Sequence, residues 1–571
     1  MPPLAVPSSA FRALTRPHAV RRCLPLLALL VASTALTATA QAPLSHTDDA
    51  APVPAGSLRL RMTTAWTRYD QRFAAGGGVT PLGADLATAA LGVAQLPGLA
   101  PIEAGLRTLA NDPQVKLSLG RLDVRGGARI VTTPISLEYG VTRRLSIGIQ
   151  VPIVQTRRVV QLDVNSDSAA RANVGFVPVV SRADAARMNL AVALAFRRDA
   201  DSLGVLLAQC PTNPTGAGCA PVNSNPSDAT AARQAALAFA NAVSSLGVDA
   251  ATLLIAPRDK SALGDAIDAR RLAINQQLQQ YLGANAGAGT NVFTARSDFS
   301  YIDLQGRNGV PGLLRSGLGG GLDSLHTTDR LGIGDIALGA QYLVFDRFAH
   351  DTMPVPALQT RLVVGGAVRL GTSRADSSLN LIDIATGDGP GIEIHSAMDL
   401  ITGRLGGTVA VRYVKSFARS VTAPLFGDPE ATFPFPAFGA RRRTAGPVMG
   451  LDLTPRYLLS ESFAIDAHYG LERVGAATYD SPVITVPAVD ACLSCTVLIP
   501  PGVVLTSGAV RTAQRVGLGL RYSTVDAFAR GRARYPIEVS FSHLQTVTGD
   551  AGLPKSSRDQ VQVRLYYRLL R

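Results

Sequence analysis

Ionic side chains at every second position are the feature of this chain most able to do chemistry. Ten arginines share one phase of an alternating pattern: Arg59, Arg61, Arg361, Arg369, Arg412, Arg456, Arg515, Arg521, Arg564 and Arg568. Eight carboxylates fall on the same phase: Glu138, Asp335, Glu393, Asp399, Asp452, Asp466, Glu472 and Glu538. His395 and His468 join them. The arginine fork meets a carboxylate with two parallel hydrogen bonds, so rows of this kind suit a partly enclosed ionic network. Two uses stay open. The rows can pair across strands and fill a narrow interior, or they can line a polar channel and tune its selectivity.

Other chemistry is thinly represented. No glycine-rich nucleotide loop, helical metal pair or zinc spacing occurs, and no cofactor is expected. A barrel lipase needs a serine and a histidine on the outward face with a donor for the oxyanion. The alternation turns His395 and His468 inward, and outward-facing His543 sits beside Ser542, which faces inward. An enzyme is therefore not the expected reading. Asp383 and Asp388 with their neighbouring glycines resemble a cation loop only loosely, and a solvated turn fits them better. Four cysteines follow residue 40, as two close pairs: Cys210 with Cys219 and Cys492 with Cys495. In an oxidising compartment two local disulfides are the default, although three pairings can be drawn. Cys492-Leu493-Ser494-Cys495 lacks the second pair or following helix that a metal or redox motif would have.

The elements that must carry these rows are strands. Charged residues make up only 17% of the 571, while hydrophobic residues reach 47% and Gly (54) and Pro (36) are abundant. That composition excludes general disorder and favours a turn-rich all-β chain. Leu145–Ile153 alternates Leu145, Ile147, Ile149, Val151 and Ile153 with Ser146, Gly148, Gln150 and Pro152. Comparable alternation runs through residues 361–371, 392–400, 449–459, 463–472, 515–523 and 561–569. Segments of about 10 residues match tilted membrane strands. About twelve strands are expected, near 58–69, 127–141, 144–162, 332–346, 358–372, 391–401, 405–418, 447–459, 462–474, 510–523, 535–546 and 558–570. The connections are read as alternating strictly between short turns and long Gly/Pro/Ser/Asp-rich loops, among them Ser373–Pro390, Ser420–Arg443 and Ala476–Ala509. The fold class is then an all-β antiparallel transmembrane β-barrel. Closure follows because an unpaired edge in hydrocarbon would leave backbone groups unsatisfied.

Two regions depart from the strand pattern. Arg12, Arg16, Arg21 and Arg22 precede the apolar stretch Leu24–Leu36, and Ala38-Thr39-Ala40 offers small residues to a signal peptidase. Residues 1–40 read as a secretory signal and 41–571 as the mature barrel. Cleavage removes four Arg and no acid, lowering the net charge from +13 to +9. The remaining cations are spread, so nucleic acid is not an expected partner. Residues 163–330 interrupt the strands as an expected extracellular, partly helical insertion, with helices in Ala231–Ser245 and Gly264–Leu282. Residues 74–111 form a second outer excursion, with a short helix at Ile102–Leu109.

The stretch Arg330–Tyr342 followed by Phe345-Asp346 resembles the strand motif of outer-membrane barrels of the phenol-degradation (meta-pathway) type. These are distant relatives of long-chain fatty-acid transporters. Leu137–Gly148 resembles a further hairpin of that group, as does Val368–Thr372 leading to Thr386-Gly387-Asp388-Gly389. The resemblance covers 132–162 and 331–418. It implies a barrel that passes hydrophobic small molecules. The chain departs from the pattern where family members carry proline and this one has Leu370-Gly371-Thr372. It also lacks a terminal aromatic, ending Leu569-Leu570-Arg571, and its aromatics are only 5%.

The expected role is passive passage of small molecules, hydrophobic ones by the resemblance, across the bacterial outer membrane. A surface-binding or structural barrel with a closed lumen is the alternative, and an outer-membrane lipase-like enzyme the third reading. Outer-membrane lipid, the barrel-assembly machinery and a small-molecule solute are the partners these readings imply.

Overall fold

The computed structural model describes residues 50–165, 172–307, 310–316, 325–348, 358–375, 385–424, 438–480, 484–487, 496–499, 504–507 and 510–568. Twelve antiparallel strands close into a barrel: β1 Ser57–Phe73, β2 Leu122–Gly140, β3 Leu145–Val164, β4 Ala337–Asp346, β5 Gln359–Arg369 and β6 Gly391–Thr402, then β7 Leu405–Ser416, β8 Val448–Leu458, β9 Phe463–Val474, β10 Arg511–Ser523, β11 Ile537–Gly549 and β12 Pro554–Arg568. Each strand pairs with its sequence neighbour, and β1 with β12 completes the ring, Leu60 lying opposite Leu565. The expected strand number agrees with this wall, and the expected strand positions overlap it, with 332–346 interrupted.

Alternation explains why these residues make such a wall. On β3 the odd residues Ile147, Ile149 and Ile153 are exposed outward, while Ser146, Gln150 and Thr156 are buried within. On β10 Leu518 is 67% exposed, whereas Gly519 between its neighbours faces inward. Exposed apolar rows all round a cylinder have lipid as their solvent, and buried ionic rows have the interior. No helix among the described residues is long and apolar enough to cross a membrane.

One strand is not continuous. The expected strand 332–346 is split, with Thr328–Ile333 pairing the outer half of β3 and Ala337–Asp346 the inner half. Pro152 on β3 has no N–H to give at this point, and it lies directly opposite Pro134 of β2. Residues 334–336 therefore leave the ladder. Gly334 still donates to the Pro152 carbonyl at 2.8 Å. The freed groups are met by the loop after β5: Thr372 Oγ1 donates to the Gly334 carbonyl at 2.7 Å and accepts from the Ile336 N–H at 3.0 Å. Thr386 Oγ1 donates to the Ile333 carbonyl at 3.1 Å.

The connections do not alternate as strictly as expected. Residues 141–144, 403–404 and 459–462 are tight turns, and Gly403 supplies the left-handed φ of +56° that its turn requires. On the same rim, however, residues 524–536 carry a short helix, Val525–Ala529. On the opposite rim β11 and β12 are joined by residues 550–553 alone. Nor are the described parts of the long connections after β7 and β9 irregular. Arg419–Pro424, Phe438–Thr444, Ala477–Asp480 and Val504–Ser507 form a four-stranded sheet beyond the wall. Arg441 is buried in it and donates to the Tyr479 carbonyl at 3.5 Å; that burial pulls its pKa down.

The described parts of 74–111 and 163–330 pack together as one helical cap. α1 Ala100–Ala110 comes from the first, and α2 Val179–Gln209, α3 Cys219–Ser224, α4 Pro226–Gly247 and α5 Ala262–Leu282 from the second. Leu106, Leu109, Phe196, Leu203, Phe239, Val243 and Leu278 share a single apolar core. Leu122, Val124 and Leu162 on the inner face of β2 and β3 belong to the same core, so the wall runs directly into the cap. The Cys210–Cys219 disulfide joins the end of α2 to α3. Cys492 and Cys495 lie outside the described residues, as does the 1–40 segment.

α2 is the one long helix not expected from the sequence. Its buried residues Ala185, Asn189, Val192, Phe196, Ala200 and Leu203 recur at helical spacing, but Asn189 and Asp199 on that face blur the apolar stripe. Both are satisfied: Asn189 Nδ2 donates to the Gly247 carbonyl at 2.9 Å, and Asp199 accepts from the Gly287 N–H.

Candidate functional site

The inner face is an ionic ladder, densest at the rim where the chain enters β1. Arg59 and Arg61 on β1 both face Glu138 on β2, all three buried; Arg61 lies 3.5 Å from the carboxylate and Arg59 is hydrogen-bonded to it. Arg61 lies directly opposite Arg564 on β12. Arg564 pairs with Glu538 of β11 at 3.1 Å, Glu538 with Arg521 of β10 at 3.1 Å, and Arg521 with Asp466 of β9 at 3.4 Å. Asp466 finally meets Arg456 of β8 at 2.7 Å. Opposite charges thus alternate across five consecutive strands.

A second cluster lies farther from that rim. Glu472 on β9 is held between Arg412 of β7 at 2.6 Å and Arg515 of β10 at 3.0 Å. Asp452 is beside them on β8, and His468 has its Nδ1 3.4 Å from Thr454 Oγ1. A cavity of about 110 Å³ opens here against β8–β12, lined also by Ser540, Ser542, Arg558, Gln560 and Gln562. Preformed sites for drug-sized ligands run to about 300–1,000 Å³, so this space admits a few waters or a small solute.

The third group lies on β5–β7. Arg361 and Asp399 are 3.3 Å apart, and Arg369 lies 3.8 Å from Asp388 and donates to Ser416 Oγ at 2.7 Å. Glu393 stands 3.7 Å from His395 Nδ1, and His395 Nε2 is 3.5 Å from the Gln341 amide. Asp388 is buried in an ion pair rather than standing in a solvated turn; Asp383 lies outside the described residues. Asp335 belongs to none of these rows. It sits in the strand break, fully buried, where its carboxylate accepts the N–H groups of Ser373 at 3.0 Å and Gly389 at 2.9 Å. The position leaves the ladder, so the alternating phase no longer governs where its side chain lies. Arg568 ends β12 opposite Ser57.

Two contributors escaped the sequence reading. The first is glycine. A side chain at Gly450 would meet Arg412 Nε at 2.6 Å, one at Gly365 would meet His395 Nε2 at 2.4 Å, and one at Gly519 would meet His468 Nε2 at 2.9 Å. Inward glycines leave room for long ionic side chains to lie across the neighbouring strand. Their regular inward phase was visible, but only the charges were read from it.

The second is the segment before β1. Ala55 bridges to Gly140 at the rim, and Ala51 takes a hydrogen bond from Arg59 at 3.0 Å. The Ala50 N–H then reaches Asp399 of β6 at 2.9 Å, and Ala50 packs with Leu343, Val363, Ala397 and Ala410. The Ala50–Gly56 segment therefore crosses the interior from β1 to the far wall.

On the outer face His543 is hydrogen-bonded to Asp559 at 2.7 Å, and among the described residues no serine or threonine hydroxyl bonds its ring. No cluster of three metal-ligating side chains occurs among the described residues either.

A closed wall with an apolar outside and a paired ionic inside defines a transmembrane β-barrel. No family model and no curated protein matches the sequence. Among solved structures, an outer membrane channel from Pseudomonas putida F1 superposes with a TM-score of 0.37 at 8% identity, covering 92% of this chain and 100% of that one. The P. putida toluene transporter TodX gives 0.21 at 9% identity, covering 90% and 89%. A Pseudomonas aeruginosa FadL homologue gives 0.22 at 8%, covering 90% and 91%. The barrel class itself follows from the wall and its two faces.

Proposed function

We infer that the protein is an outer-membrane channel, exported by its 1–40 signal, through which small molecules pass without cofactor or energy input. The observation that carries this reading is a closed wall whose inner face carries ionic rows from the rim at Arg59 to the Glu472 cluster. A polar interior is what a water-filled conduit of this class has. The lumen-facing groups would act as its lining: Arg412, Glu472, Arg515 and Asp452 around the cavity, and the Glu138–Arg456 series at the rim. The cavity limits solutes to small ones in the described state. The resemblance of 132–162 and 331–418 adds hydrophobic molecules as candidates.

Planar-bilayer conductance and liposome uptake of the purified full chain test the reading. Discrete channels, with uptake of small solutes and exclusion of larger ones, are expected; a barrel silent in both assays overturns it. A specific observation supports the second reading, a closed surface-binding barrel: the Ala50–Gly56 segment spans the interior. Silence in the full chain and also in a chain lacking 166–328 would favour that reading.

A further inference from the structure

The outer face of β1–β3 changes character at one latitude. Outward residues of β2 run Tyr139, Leu137, Ile135, Thr133 and Val131, and then Arg129. On β3 they run Leu145 to Ile153, then Gln155 and Arg157; on β1 they run Leu58 to Trp66, then Arg68. The eight residue steps from Tyr139 to Val131, tilted in a barrel wall, span about 20 Å, close to the height of a lipid-facing apolar band. The arginines stand where that band ends, on the side of the cap, and Trp66 marks the interface just beneath.

Their arrangement is unfavourable alone. Arg68 lies directly opposite Arg129, and Arg129 directly opposite Arg157. Like charges directly opposite one another on one face of a sheet repel. None of the three makes an ion pair among the described residues. With Lys555 and Ser557 of β12 they line a shallow cavity of about 640 Å³. Two carboxylates are near: Asp70 lines the same cavity, and Asp329 lies opposite Arg157 but accepts from Gln155 Nε2 at 3.0 Å. Four cations therefore outnumber the two acids.

We propose that this arginine row binds the phosphate groups of an anionic glycolipid in the outer leaflet. A phosphomonoester offers three oxygens to guanidinium forks spaced one strand apart, and the acyl chains lie along the apolar rows below. A bound dianion removes the repulsion between the three arginines, so the site serves as a fixed lipid collar under the cap. The inference uses the membrane embedding of the barrel but not its conductance.

Trp66 is the only tryptophan of the chain and lies two residues from Arg68 on the same face, so its fluorescence reports this site. The full chain in neutral detergent is titrated with a diphosphorylated glycolipid, with its dephosphorylated form, and with inorganic phosphate. A saturable emission change is expected with the first, at least tenfold weaker binding with the second, and with phosphate only at far higher concentration. In R129Q/R157Q the affinity should fall at least tenfold while bilayer conductance is unchanged. Should that pair fail to fold, R129K, which keeps the charge but loses the fork, should weaken binding severalfold. Equal affinity for the dephosphorylated glycolipid, or a folded variant with parental affinity, overturns the proposal. Inorganic phosphate binding as tightly as the glycolipid overturns the lipid as its source.

Discussion

Asp399 holds the Ala50–Gly56 segment across the interior, and its removal should open the barrel. The Ala50 N–H reaches Asp399 Oδ2 at 2.9 Å inside the wall. A hydrogen bond to a charged group contributes about 1.5–3 kcal/mol, and each ~1.4 kcal/mol is a factor of ten. D399A should therefore raise the population with a released 50–56 segment by about 10–100-fold. In planar bilayers this reads as longer open times or a larger unitary conductance. Asp399 also holds Arg361 and accepts from Thr408 Oγ1 at 2.8 Å, so a general loosening of the wall must be separated from release. R361Q removes the neighbouring cation and leaves the Ala50 bond in place; it should not open the barrel. Deleting 50–54 should reproduce the D399A current. If that deletion leaves the current at the parental level, the segment does not obstruct the path and the reasoning is wrong.

Three further outcomes are expected. E138Q leaves Arg59 and Arg61 buried without their shared carboxylate, a loss of about 3–5 kcal/mol for a broken buried pair; the temperature of the heat-induced mobility shift in detergent gels should drop. L518R places a charge on the lipid face of β10 and should cost about 2–4 kcal/mol near mid-depth, read as a lower urea midpoint on refolding into vesicles. An unchanged midpoint would mean that lipid is not the solvent there. C210S/C219S opens a short loop in the cap and should cost it about 2–3 kcal/mol. Limited proteolysis should then cut between α2 and α4 while the barrel band persists.

Much of the wall was legible because lipid on one side and ions on the other impose a strict period of two. Every strand from Ser57 to Arg568 could be placed from that period. Where the period lapses, legibility lapses with it. At Gly334-Asp335-Ile336 the motif reads as a continuous strand, and only Pro152 across the ladder explains why it is not. The four-stranded sheet beyond the wall escaped because its strands are only four to seven residues long, too short to establish a period. α2 escaped because Asn189 and Asp199 occupy its buried face, their cost offset by partners distant in sequence. The same reason hid the role of Ala50: an alanine backbone has no signature, and its partner is 349 positions away.

The 50–56 segment inside the wall constrains how the molecule is made. The last ladder to complete the cylinder joins β1 to β12, first strand to last. A segment that ends up threaded between Arg59 and Asp399 has to be laid in before that seam zips, or slipped through the rim afterwards. Bulk inserted just before Ala50 would have to share the mouth or the bore with that segment, and would burden closure of the seam.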